Sequence, residues 1–232
     1  FGLSLGRWAA AGAAAAGGRV PALEPIKTVE IGENRELVVN GKPFLPIMSW
    51  AQPSRMYPKL ARLGFNTFCG TADANAAQAV GRYAVAGFRP NWIGHPYLLA
   101  WIHGDEPDMP GPRDPNNPQA RRAPRTSPDR LLAVYQKIKE ADPARPVFVT
   151  FTGGFARETR ETQDAARTKL YSDFIQGADV VGFDIYPIYG SGYAGHLNWV
   201  GSAVGQLREL GGPRPLYAWI ETGKGSKWMT YE

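Results

Sequence analysis

Seven short apolar runs, most of them separated by segments with helical character, constrain this 232-residue chain more than any other feature. The runs are "FLPIMSW" (44–50), "FNTFCG" (65–70), "FRPNWIG" (88–94), "LLAWIHG" (98–104), "PVFVTFT" (146–152), "VVGFDIYPI" (180–188) and "PLYAWIE" (215–221). Both faces of such runs are apolar, which is the pattern of strands buried on two sides in a parallel sheet. Helices are expected at 53–63, at 72–87 (Asp73 as N-cap, Gly87 as stop), at 127–142, at 161–177 and at 199–210. Ser127 followed by Pro128 is a strong start signal for the third of these, because proline at the first helical position loses no hydrogen bond. Strand–helix alternation of this kind builds βαβ units. Seven strands, many ending in polar residues and none followed by a glycine-rich phosphate loop, favour a (β/α)8 barrel over a doubly wound sheet.

Ahead of the first run, "ENRELVVNGKPFLPI" (33–47) places Asn40-Gly41 between two apolar stretches, which predicts a hairpin with a tight turn. Residues 109–127 carry five prolines and no periodicity, so they read as one long loop. Two irregularities stand out. Only three residues separate the third and fourth predicted strands, whereas a parallel crossover needs about a dozen. The chain also ends about ten residues past the seventh strand, so an eighth strand and one crossover helix are not evident. The expected organisation is a leader or signal remnant over 1–22, rich in Ala and Gly, and a single barrel domain over 23–232, truncated at its C-terminus. A signal remnant would put the protein in a secreted or periplasmic setting.

Composition narrows the chemistry. The net charge of +5 is spread along the chain and makes no basic stripe interleaved with aromatics, so nucleic acid is not an expected partner. No segment has the length and apolarity of a membrane span. Cys69 is the only cysteine and sits inside an apolar run, where it reads as a small buried hydrophobe. The three histidines lack the spacing of a zinc site, and no Gly-x-Ser-x-Gly elbow is present. No metal or other cofactor is expected.

In a (β/α)8 barrel the reactive groups lie at the C-terminal ends of the strands. Two glutamates occupy such ends: Glu106 in "HGDEP" after the fourth strand, and Glu221 in "YAWIETG" after the seventh. Two carboxyls facing one another suit cleavage of a glycosidic bond with retention. One attacks the anomeric carbon, while the other protonates the leaving oxygen and later takes a proton from water. Asp105, Asp184 and Tyr186 are candidate pocket residues, with His103 a candidate substrate contact. Trp50 and Trp219 are candidate platforms for a sugar face, as are Trp92 and Tyr189 further down the ranking. Each of these has an ordinary structural alternative. For His103 it is a core histidine bonded to a carbonyl.

The stretches "LVVNGKPFLPI", "LLAWIHGDEPD", "ADVVGFDIYPI" and "PLYAWIETG", in that order over about residues 35–223, resemble the retaining glycoside hydrolases of clan A, the superfamily of β-galactosidases, cellulases and mannanases. The resemblance implies a (β/α)8 barrel, Glu106 as acid/base, Glu221 as nucleophile and an oligosaccharide or polysaccharide substrate with a β-linkage. This chain departs from the clan at Asp105, where the clan usually has asparagine. An acid there would raise the Glu106 pKa by like-charge repulsion, or alter the contact to the sugar. Two other functions fit parts of the pattern: a non-catalytic carbohydrate-binding barrel, and a metal-dependent hydrolase using Asp105, Glu106 and Asp184. The basic residues of the long loop, Arg113, Arg121, Arg122 and Arg125, hint at acidic glycans.

Overall fold

A computed structural model describes residues 20–120, 122–156, 165–188 and 194–222. The predicted leader, Arg121, the start of the fourth helix and Tyr189 lie wholly or mostly outside them. Ten strands and five helices follow in chain order: β1 (Val29–Ile31), β2 (Leu37–Val39), β3 (Lys42–Phe44), β4 (Met48–Trp50), α1 (Tyr57–Arg62), β5 (Thr67–Gly70), α2 (Ala74–Ala79), β6 (Tyr83–Ala86), β7 (Leu98–Ile102), α3 (Pro128–Ala141), β8 (Val147–Thr152), α4 (Ala165–Ile175), β9 (Val180–Asp184), α5 (Asn198–Gly211) and β10 (Leu216–Trp219).

Strands β4 to β10 form one parallel sheet in strict chain order, curled into a nearly closed seven-stranded barrel. The two edge strands approach each other at their C-terminal ends, where the rings of Trp50 and Trp219 lie 5.1 Å apart. Inward-facing side chains, among them Cys69, Val85, Ile102, Phe148 and Trp219, fill the interior, and outward-facing ones pack on the helices. Cys69 is buried and free, as its apolar setting suggested. No helix among the described residues is long and apolar enough to cross a membrane.

The predicted hairpin forms between β2 and β3, with Asn40 (φ 52°) and Gly41 (φ 75°) both in the left-handed region that a two-residue turn of this hand demands. Asn40 does more than turn the chain. Its Oδ1 accepts the Lys27 and Thr28 amides and its Nδ2 donates to Pro25 O, tying the hairpin to the incoming segment. With β1, the hairpin makes a three-stranded antiparallel sheet. Ile26, Val29, Leu37 and Val39 join the barrel's inner cluster, while Leu23 N and Ile26 N donate to Gly81 O and Pro96 O just before β6 and β7. The small sheet therefore covers the N-terminal end and leaves the opposite end as the mouth.

The third barrel strand lies elsewhere than the apolar pattern predicts. It is Tyr83–Ala86, taken from the second half of the predicted 72–87 helix, whereas 88–94 carries only a 3-10 turn at Pro90–Trp92. Helix α2 stops after six residues, with Gly81 (φ 63°) as the left-handed residue beyond its end, where Gly87 was expected to serve. All four residues of β6 are buried, and two are alanines, so neither alternation nor side-chain type distinguishes this strand from helix. The corrected position leaves eleven residues, 87–97, for the β6–β7 crossover. The first predicted strand also divides, with Phe44 ending β3 and only Met48–Trp50 entering the barrel.

Candidate active site

The mouth is built from the loops that follow β4, β7, β9 and β10. After β7 the chain runs Gly104-Asp105-Glu106-Pro107-Asp108, and its three acids have three different surroundings. Asp108 is buried. Its Oδ1 accepts the Thr152 amide (2.9 Å), and its Oδ2 accepts the hydroxyls of Thr152 and Tyr171 (2.6 Å each). It thus ties the β7 loop to the end of β8 and to α4, and burial still outweighs these bonds and raises its pKa. Asp105 is exposed and accepts the Glu106 backbone amide; partial desolvation raises its pKa against the pull of Arg125.

Glu106 has φ 44°, a left-handed conformation that a non-glycine residue adopts at a cost of about 1–3 kcal/mol unless its surroundings enforce it. The surroundings do so. Its carbonyl accepts both Met109 N (3.0 Å) and Arg125 Nε (2.9 Å), and its Oε2 accepts from the other arm of Arg125 at 3.2 Å. Side-chain exposures of 18% for Glu106 and 43% for Arg125 place this pair at the boundary between protein and solvent. The remaining contact of the Glu106 carboxyl is a hydrogen bond with the carboxyl of Asp184, the last residue of β9. Desolvation raises the Glu106 pKa, with the Asp184 bond and Arg125 opposing it and the charges of Asp105 and Asp108 adding to it. Burial, followed by the Glu106 charge, pushes Asp184 up to about 9.

Glu221 follows β10 and Trp219, and its Oε1 accepts the Ile188 amide at 2.5 Å, bringing the β9 and β10 loops together. Tyr186, two residues beyond Asp184, links the two halves of the mouth. Burial raises the pKa of its phenol, and the charges of Asp184, Asp105, Glu106 and Glu221 all raise it further. Both glutamates therefore lie within electrostatic reach of one hydroxyl.

Below them, the half-buried Tyr217 donates to Val149 O (2.9 Å) and meets Thr150 Oγ1 at 2.7 Å, and Trp219 Nε1 donates to the same Thr150 oxygen at 3.2 Å. The Tyr217 ring occupies the space that Gly182 leaves by lacking a side chain. Trp219 is buried beneath the mouth as its floor, with half-buried Trp50 tilted against it. Of the predicted aromatic platforms, Trp92 is buried among α1, α2 and β7 residues on the helix-facing side.

His103 is not at the mouth. It shares the outward face of β7 with Trp101, whose Nε1 reaches Asp142 at the end of α3, and its own Nε2 meets Gly177 O at 2.8 Å. Burial lowers its pKa, so the ring is neutral and Nε2 donates. The expected substrate contact gives way to the alternative, a core histidine bonded to a carbonyl. Two residues that sequence reasoning gave no part beside Glu106 belong here: Arg125, its cation, and Asp108, the brace of its loop. Nineteen residues separate Arg125 from Glu106, and no local pattern announces that pairing. Among the described residues no group of three or more His, Cys, Asp or Glu side chains is arranged to hold a metal ion.

No family model matches the sequence, and no curated protein matches it. Solved structures do share its fold. They include a GH2 β-galacturonidase from Eisenbergiella tayi bound to galacturonate (TM-score 0.57, 12% identity, 88% of this chain and 40% of that one). A β-D-glucuronidase from Dictyoglomus thermophilum matches with TM-score 0.53 and 14% identity, over 82% of this chain and 38% of that one. A Bacteroides uniformis β-glucuronidase gives 0.51 and 15%, over 82% and 26%. All three are glycoside hydrolases, and the present chain spans two fifths of their length or less.

Proposed function

We propose that the protein is a retaining β-glycosidase in which Glu221 attacks the anomeric carbon and Glu106 acts first as acid and then as base. The observation that carries this reading is the convergence of both glutamates, from loops after β7 and β10, on the Tyr186 hydroxyl. Their environments differ in the direction the chemistry needs. Desolvation and neighbouring acids favour the protonated form of Glu106, as a general acid requires. Glu221 instead accepts a backbone N–H, a contact that favours a carboxylate. Tyr186 is positioned to hold the nucleophile's carboxylate, and Trp50 with Asp105 to contact the sugar.

A β-linked uronoside is the substrate class to test first. The solved structures of like fold act on glucuronides and galacturonides, and Arg125 offers a half-exposed guanidinium at the mouth. A sugar carboxylate entering there would compete with Glu106 for that cation.

The test is hydrolysis of a panel of aryl β-glycosides, uronosides and neutral sugars together, with the anomeric configuration of the first-formed product followed by NMR. Retention is expected, with loss of activity in Glu106→Gln and Glu221→Ala and rescue of the latter by azide. An inverted product from the wild-type protein, or turnover surviving in both variants, would refute the assignment.

A further inference from the structure

We infer that Asp184 is the positioning residue of Glu106, a neutral carboxylic acid whose O–H is donated to the Glu106 carboxylate, so that the two side chains hold one proton between them. The inference rests on the proposed function for its catalytic meaning, though the pairing itself stands on geometry.

Two carboxyls can hydrogen-bond directly only if one of them keeps a proton, and these two do so. Their surroundings decide which one. Glu106 has Arg125 on Oε2, at 3.2 Å, to balance a negative charge. Asp184 has no such partner, since its Oδ1 is buried without a hydrogen bond among the described residues. A carboxylate buried without compensation is far more costly than a neutral acid in the same place. The proton therefore belongs on Asp184 and the charge on Glu106.

The strand positions explain why the chain can place them so. Asp184 lies two residues beyond Gly182, hence on the same inward face of β9, and the Tyr217 ring over Gly182 fills the barrel below it. The titratable groups around the pair come from every loop of the mouth: Asp105 and Asp108 from the β7 loop, Tyr186 from the β9 loop, Tyr217 from β10 beneath, and Arg125 from the loop before α3. Arg125 is the one cation among them, and it is committed to Glu106. The acids that remain resist removal of the shared proton, and the high Asp184 pKa agrees.

For catalysis, the pair keeps a proton beside Glu106 at pH values where a lone glutamate would have lost it. Transfer within the pair breaks the O–H bond of Asp184 and makes one on Glu106, while the negative charge moves to Asp184 and no other reactant is needed. Asp184→Asn keeps a donor at this position but removes the exchangeable proton, leaving Glu106 as a stabilised carboxylate.

Carboxyl-13C NMR titration of Asp- and Glu-labelled full-length wild-type protein tests the pairing without reference to activity. One carboxyl should titrate well above the ordinary range, with a second, coupled signal moving in step, and both features should vanish in Glu106→Gln. An Asp184 signal that titrates in the ordinary range, or that ignores Glu106→Gln, would overturn the proposal. If an aryl glycoside is hydrolysed, Asp184→Asn should move the alkaline limb of kcat/KM down by about one pH unit or more, with a much smaller change in KM. A uniform loss at all pH values would reduce Asp184 to a packing role. Absence of hydrolysis by the wild-type protein would refute the glycosidase function, while the NMR titration would still decide the pairing.

Discussion

Truncating Asp108 is the perturbation whose outcome follows most directly from the structure. The side chain accepts three hydrogen bonds, from Thr152 N, Thr152 Oγ1 and Tyr171 O–H, and is itself buried. Asp108→Ala leaves three donors facing a space they were built to surround. A buried donor left unpaired costs about 1–3 kcal/mol. Two of the three are hydroxyls that can rotate, and removing a carboxylate whose pKa is raised by burial recovers part of its own desolvation penalty. The net loss should be about 2–4 kcal/mol, a large share of the roughly 5–15 kcal/mol that keeps a domain folded. Asp108→Asn keeps an acceptor for the Thr152 amide and should cost about half as much. Urea unfolding followed by circular dichroism reads both, and the slope with denaturant should stay constant so that the midpoint shift measures stability. A loss below about 1 kcal/mol in Asp108→Ala would refute the assignment of Asp108 as the brace between the β7 loop, β8 and α4.

Two further substitutions probe the floor and the rim of the mouth. Gly182→Ala would drive a methyl group into the Tyr217 ring, and overpacking of this kind costs about 1–3 kcal/mol, so the unfolding midpoint should fall. An unchanged midpoint would mean that Tyr217 does not occupy the barrel interior beneath Asp184. Arg125→Ala removes a cation that lowers the Glu106 pKa, so the alkaline limb of kcat/KM should move to higher pH, opposite in sign to Asp184→Asn. The accompanying loss of stability should be about 1–2 kcal/mol, from the Nε bond to the Glu106 carbonyl and a half-exposed ion pair. A limb that stays in place would separate Arg125 from the ionisation of Glu106.

Local chemistry was legible in the sequence wherever one residue type had a single job. Asn40-Gly41 is the hairpin turn it spells, and Ser127 caps α3 through Arg130 N as its pairing with Pro128 suggests. Asp73 caps α2 by accepting two backbone amides. What stayed hidden depended on which face of a fully buried strand points inward. On β7 both faces are apolar, so nothing in "LLAWIHG" says that Trp101 and His103 look out to the helices while Ala100 and Ile102 look in. The same ambiguity hid β6. Tyr217 shows a third limit, since its place inside the barrel depends on a glycine in another strand, thirty-five residues earlier.

The long proline-rich loop illustrates how such a segment can matter without secondary structure of its own. Its two ends run side by side: Gly111 N donates to Ala123 O, Arg125 N to Met109 O and Thr126 N to Pro107 O. Closing the ends of a flexible loop costs only slowly more as the loop lengthens, so the residues between can vary while the ends stay registered. The registered ends are what return Arg125 to Glu106, and the same clasp places the Arg125 side chain on the Glu106 carbonyl that holds φ at 44°. The abrupt run of acids after β7 is therefore neither a plain polar turn nor a set of equivalent catalytic candidates. Asp108 anchors it from below, Asp105 takes the Glu106 amide, and Arg125 clamps it from above. With backbone and neighbours so constrained, the Glu106 carboxyl is the one acid of the three left facing both Asp184 and the mouth.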